Sequence, residues 1–167
     1  MIALTKINII IYSKRDDHAL YSKILIAYDG SPSAKLALSK ACEIAMQFHS
    51  ELLVTTVIEP IEIFYGEPIP PEIISKQKEI AQRIIERAKK YIESMGLEKV
   101  RYIIKTGIPA NEIVKTADEE NVDLIVIGRK SKKGILERVL VGSVSHSVLN
   151  LVTNRDVLIT PYTEKED

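Results

Sequence analysis

The run DLIVIGRKSKKGILERVLVGSV, from Asp123 to Val144, changes character once, at Gly128. Before it, Asp123 to Ile127 carries an unbroken Leu-Ile-Val-Ile sequence with no polar face, which suits a strand in a parallel sheet covered on both sides. After it come Arg129, Lys130, Lys132, Lys133 and Arg138 against one acid, Glu137, and the run closes on Gly142-Ser143. Val144, Val148, Leu151 and Val152 then repeat as one side of a helix. A buried strand, a cationic glycine-containing loop and a helix start together make a place where backbone N–H groups and a helix dipole hold an anion, phosphate above all.

The same strand-then-helix rhythm extends upstream. KILIAY, Lys23 to Tyr28, reads as a strand ended by Asp29-Gly30-Ser31-Pro32. Ser31 is placed as an N-cap with Pro32 at the first helical position, and Ala34, Ala37, Leu38, Ala41, Ala45 and Phe48 follow at helical spacing. ELLVTTVI, Glu51 to Ile58, is a β-branched strand, and it leads into a proline-rich loop over Glu59 to Pro71. From Glu72 to Met95 a long helix keeps Ile73, Ile80, Ala81, Ile84, Ala88, Ile92 and Met95 on one face, with Gly96 as its stop. Val100 to Thr106 is a third core strand, Gly107-Ile108-Pro109 a turn, and Ala110, Ile113, Val114 and Ala117 a helix ending near Asn121. Asp156 to Thr160 is the last strand. Alternation of this kind implies parallel pairing through right-handed crossovers, an open Rossmann-like α/β sheet with helices on both faces. Ligands of such sheets lie beyond the carboxyl ends of the strands, where the strand order reverses. Asp29-Gly30, Val57-Ile58, Gly107 and Gly128 all fall at such ends.

Bulk composition narrows the function classes. The 167 residues suit one domain, and Lys plus Arg equals Asp plus Glu at 23 each, so no global charge draws the chain to nucleic acid or to an anionic membrane. One cysteine, Cys42, allows no internal disulfide and no thiolate cluster, which fits a reducing, cytoplasmic setting. No apolar run reaches the roughly 18 to 20 residues that span a bilayer. The apolar cluster Ile7, Ile9, Ile10 and Ile11 is too short for a signal peptide and is followed by Lys14-Arg15-Asp16-Asp17, so residues 1–22 read as an N-terminal extension with an extra strand. Residues 162–167 form an acidic tail.

KILIAYDGSPSAKLAL, TGIPANEIVKTA, DLIVIGRKSKKGILERVLVGSVSHSVL and DVLIT resemble, in that order and spacing, the universal stress protein family over about residues 23–161. The resemblance implies a five-stranded parallel sheet of order 3-2-1-4-5 and a homodimer in which the strand Asp156–Thr160 pairs with its copy. In the family's ATP-binding branch, adenosine lies at the ends of the first two strands and a G-x-x-G-x(9)-G-S/T loop wraps the phosphates. Carried over, Asp29 matches the ribose-contacting acid, with Ala27 and Tyr28 beside it and Val57 at the adenine. Ile127, Gly128 and Arg129 open the phosphate loop, and Gly142, Ser143 and Val144 close it. Two departures stand inside that loop. The second glycine of the motif falls on Ser131, and the span from Gly128 to Gly142 is one residue longer than the pattern, with Gly134 as a displaced second glycine.

The resemblance thus implies an ATP-binding, dimeric stress-response or signalling module, with Mg²⁺ as the companion of the triphosphate. A relative that acts through protein contacts without nucleotide, and a slow ATPase, remain alternatives. Nothing in the residues builds a catalytic or metal site. His18, His49 and His146 have no carboxylate or cysteine partner at ligand spacing, and the G-x-x-x-x-G-K-S/T loop of phosphate-transferring ATPases is absent. Asp29 has an ordinary alternative as a turn cap, and Gly107-Ile108-Pro109-Ala110 reads as structural. The last strand, apolar at Val157, Leu158 and Ile159, is expected at a sheet edge, where it needs a partner.

Overall fold

A computed structural model of the chain describes residues 20–61, 69–129 and 143–161. The expected strand within residues 1–22, most of the cationic loop and the acidic tail lie outside the described residues. In chain order the elements are β1 (Lys23–Ala27), α1 (Pro32–Phe48), β2 (Glu51–Ile58), α2 (Pro71–Met95), β3 (Val100–Thr106), α3 (Pro109–Glu119), β4 (Leu124–Gly128), α4 (Ser143–Leu151) and β5 (Asp156–Thr160). The strands form one parallel sheet of order β3-β2-β1-β4-β5. The expected α/β architecture and strand order are therefore present. Some boundaries move by one residue: β1 ends at Ala27 rather than Tyr28, α2 starts at Pro71 rather than Glu72, and β4 starts after Asp123 and includes Gly128, because the Asp123 carboxylate instead accepts from Ser22 N and Lys23 N and ties β4 to the entry of β1.

Period-2 alternation splits the core into two layers. Ile24, Ile26, Tyr28, Leu52, Val54, Leu124 and Val126 face α1 and α2. Leu25, Leu53, Ile125 and Ile127, with Ala27 and Val57 at the margin, face α3 and α4. Small side chains on α1, Ala34, Ala37, Ala41, Cys42 and Ala45, let that helix lie close to the sheet. Burial in that layer also pushes the Cys42 thiol up to about 11, so it behaves as an inert apolar group. Along α2 the buried residues are Ala81, Ile85, Ala88 and Ile92, whereas Ile73 and Ile80 are exposed. The expected apolar face is thus rotated, because α2 lies over β2 with Ile85 inward. Leu151 at the end of α4 is also exposed, contrary to its expected place on the buried side, since Val148 and Ser145 are that helix's buried residues. Val100–Thr106 stands at the edge of the sheet, as the order 3-2-1-4-5 places it, which accounts for its alternation of exposed and half-buried positions.

Local signals in the sequence set the helix ends. Ser31 caps α1 by accepting from Ala34 N at 3.3 Å, and Pro32 occupies the first turn. Gly96 closes α2 at φ 77°, a left-handed conformation that favours glycine. At the amino ends of the strands, Arg101 bridges Glu51, at 2.6 Å, and Glu120, while Lys23 Nζ donates to the Glu120 carbonyl at 3.0 Å. The Arg101 hydrogen bond holds the Glu120 carboxyl below its ordinary value of 4.5. A group depressed on folding stabilises above its unfolded pKa and loses that contribution as pH falls through the folded value. We therefore expect urea midpoints to drop below about pH 4.5, and to drop less in Glu120→Gln; parallel acid titrations of the two proteins that superimpose would assign the acid sensitivity elsewhere.

Candidate functional site

The strand order reverses between β1 and β4, and the residues at their carboxyl ends build the candidate site from the backbone outward. Ala27 pairs with Thr55 on one side and Ile127 on the other, so these three stand in one row of the sheet. Tyr28 N donates to Thr55 O at 2.9 Å, and Tyr28 O accepts from Thr56 Oγ1 at 2.8 Å. Its ring turns into the α1/α2 core, where burial raises the phenol's pKa, with Arg87 opposing and Asp29 adding to the rise. Tyr28 therefore reaches the rim only through its main chain.

Asp29 follows as an exposed carboxylate whose Oδ1 accepts from Ser31 N at 2.9 Å. That bond is the turn-capping chemistry of an Asx turn, and it aims the chain into α1 while leaving the carboxylate at the surface. Gly30 completes the turn at φ 76°. Val57, half-buried, faces α3 and α4 together with Ala27 and Ile127, and Val144 of α4 packs against the same layer. Ser143 is exposed at the first position of α4. The structure thus brings Ala27, Asp29, Val57, Ile127, Gly128, Arg129, Ser143 and Val144 to one rim. Ser131, Gly134 and Gly142 lie outside the described residues.

Gly128 has a reason that the sequence alone hides. A Cβ there would stand 2.4 Å from Ser33 O, 2.5 Å from Ser33 C and 2.8 Å from Ala34 N, all backbone atoms of the first turn of α1. The glycine is required by helix contact, not by positive φ, since Gly128 is not among the residues with that conformation. Ser33 and Ala34 are the site-building residues that pattern reading missed; their smallness beside a strand-ending glycine is the signal that could have found them. The amino end of α1 is thereby pressed against the point where the loop departs. Arg129 N donates to Thr160 O at 2.9 Å, anchoring the loop's first residue to the end of β5. Two helix amino ends, of α1 and α4, therefore face the space above β1 and β4, where their dipoles favour negative charge.

Among the described residues no group of three or more His, Cys, Asp or Glu is arranged to hold a metal ion. Nor is any described helix long and apolar enough to cross a membrane.

Comparison with known proteins gives these features a family. The profile of the universal stress protein family matches residues 20–161. The chain belongs to that family. Universal stress protein MJ0531 of Methanocaldococcus jannaschii is 38% identical over 138 residues, covering 81% of this chain and 79% of its relative. Universal stress protein YxiE of Bacillus subtilis is 34% identical over 143 residues, covering 80% and 95%. Among solved structures, that of hypothetical protein MJ0577 superposes with a TM-score of 0.73 at 35% identity, covering 87% of this chain and 99% of that one. A universal stress protein crystallised in complex with cAMP superposes with a TM-score of 0.67 at 25% identity, covering 84% and 97%. The universal stress protein fold accounts for the whole described sheet, including the β1/β4 reversal above which the candidate residues meet.

Proposed function

We propose that this universal stress protein binds an adenine nucleotide, ATP with or without Mg²⁺, above the carboxyl ends of β1 and β4. The observation that carries the reading is the convergence of Asp29, Val57, Gly128 and Val144 on one rim between the amino ends of α1 and α4. Asp29 would take the ribose hydroxyls, Val57 and Ala27 the face of the base, and the run from Gly128 to Ser143, with Arg129, Ser131, Gly134 and Gly142, the phosphates. A related universal stress protein captured with cAMP supports the choice of an adenine nucleotide. The role is a dimeric, cytoplasmic, nucleotide-dependent stress-response or signalling module without a catalytic centre. Pairing of β5 with its copy makes the dimer, and residues 23–161 are the folded unit.

Asp29 has two separable duties, and the test uses both. Isothermal titration should show ATP binding to the wild type at concentrations of about 1 mM or below, the range in which a 4 kcal/mol interaction registers. Asp29→Asn keeps an acceptor for Ser31 N but loses the charge, so it should keep its melting temperature and lose about tenfold in affinity, as expected for a charge-assisted bond. Absence of heat with the wild type would leave the fold without this ligand. Unchanged affinity in Asp29→Asn would reduce the residue to a turn cap.

A further inference from the structure

Two neighbouring threonines, Thr55 and Thr56, interrupt the apolar run of β2, and strand alternation sends them to opposite faces of the sheet. Leu53 and Val57 face α3 and α4, whereas Leu52 and Val54 face α1 and α2, so Thr56 belongs to the α1/α2 side. It is 3% exposed there and points away from the layer in which Ala27, Val57, Ile127 and Val144 meet. A hydroxyl so placed is out of reach of a ligand held against Val57. It acts through the main chain of β1.

Beyond Ala27 the β1–β2 ladder continues with Tyr28 N donating to Thr55 O at 2.9 Å. The next group, Tyr28 O, accepts from Thr56 Oγ1 at 2.8 Å, a side-chain donor where a continuing parallel ladder would supply Val57 N. That exchange has a direction. Thr56 Oγ1 stands on the α1/α2 side, so the bond tilts Tyr28 O toward that side. In a planar trans peptide the C=O and the N–H of the following residue point oppositely. The Asp29 N–H is therefore tilted toward the α3/α4 side, where Ala27 and Val57 lie. The Asp29 carboxylate springs from the same peptide, and its Oδ1 accepts from Ser31 N at 2.9 Å. One buried hydroxyl thus sets the plane from which both polar groups of Asp29 are presented.

We infer that Thr56 is a positioning residue for the nucleotide site: its hydroxyl turns the Tyr28–Asp29 peptide so that Asp29 meets the nucleoside with its main-chain N–H as well as its carboxylate. The inference rests on the adenine-nucleotide reading above. A main-chain N–H calls for an acceptor, and the ribose oxygens of a nucleoside supply one. The need to satisfy a buried carbonyl explains that Tyr28 O has a partner but not which partner it has. A rung from Val57 N would serve that need equally well and would keep the peptide in the plane of the sheet.

Two substitutions at this position separate the hydroxyl from the volume. Thr56→Val keeps the volume and loses the donor, while Thr56→Ser keeps the donor and loses a buried methyl. In isothermal titration with ATP, Thr56→Val should bind about tenfold more weakly than the wild type, the size of one lost hydrogen bond, and Thr56→Ser within about twofold of it. Thr56→Ser should nonetheless melt below the wild type, so that affinity follows the hydroxyl and not the melting temperature. In the ligand-free protein, Thr56→Val should move the NMR signal of the Tyr28 carbonyl carbon upfield and shift the Asp29 amide, and Thr56→Ser should leave both in place. Wild-type affinity in Thr56→Val would overturn the inference. An equal loss of affinity in the two variants would mark a merely structural residue and overturn it too, as would unmoved Tyr28 and Asp29 signals in Thr56→Val. A wild type that does not bind ATP would overturn the nucleotide reading and this inference with it, whereas ATP binding by the wild type together with any of the three preceding results fails this inference alone.

Discussion

Gly128→Ala should lower the melting temperature by several degrees and weaken nucleotide binding in the same variant. A single methyl at this position meets Ser33 O at 2.4 Å and Ala34 N at 2.8 Å, and neither can rotate away as a side chain would. The α1 turn they belong to is held by the Ser31 cap and by Pro32, so the helix must move as a body. Overpacking of this kind destabilises by about 1 to 3 kcal/mol. In a domain of this size each kcal/mol lowers the melting temperature by roughly 2 to 4 °C. The shift would also withdraw the amino end of α1 from the loop's origin, so nucleotide affinity should fall with stability, by about tenfold or more. Calorimetric melting and titration of the same preparation read both effects. A variant that melts normally would mean that α1 can slide on β4 without strain.

Ile159→Pro should convert the proposed dimer to monomer while leaving the monomer folded. The reasoning comes from hydrogen-bond direction. Asp156 N donates to Asp123 O at 3.1 Å and Thr160 O accepts from Arg129 N at 2.9 Å, so the even-numbered residues of β5 face β4. Val157 and Ile159 therefore direct their N–H and C=O groups to the free edge of the sheet. Proline at 159 removes an outward donor and places a ring against an incoming strand, yet it breaks no rung of the β4–β5 ladder, and proline is tolerated on edges. Sedimentation should show dimer affinity reduced by about tenfold to a hundredfold, from the lost bond and the steric clash together. Replacing Leu158 with aspartate is a poorer test, because Leu158 packs against the α1-side core and its loss would also unfold. A dimer that survives Ile159→Pro would place the interface on another surface.

Much of this architecture was legible in the chain. Every described helix and strand follows from apolar periodicity with Ser31-Pro32, Gly96 and Gly107-Ile108-Pro109 as punctuation, because those signals are local. The faces of α2 were less legible. Its apolar arc is wide enough to include both Ile80 and Ile85, and only docking on β2 decides which one goes inward. The candidate site was legible as a set of positions, Asp29, Val57 and Gly128, because strand ends can be counted. Its construction was not, since the contact of Gly128 with Ser33 and Ala34 joins residues some 95 positions apart in sequence and no local pattern records it. Tyr28 shows the same limit: period-2 alternation sends its ring away from the rim and leaves the main chain there.

The bond from Arg129 N to Thr160 O, together with the packing of Val144 against the α3/α4 layer, fixes both ends of the cationic run. The residues that flank the run are thus held by the end of β5 and by the α3/α4 layer. The run is in that sense an interchangeable cassette. Loops of other lengths, exchanged between Arg129 and Ser143, should alter what is held there without disturbing the frame that holds it.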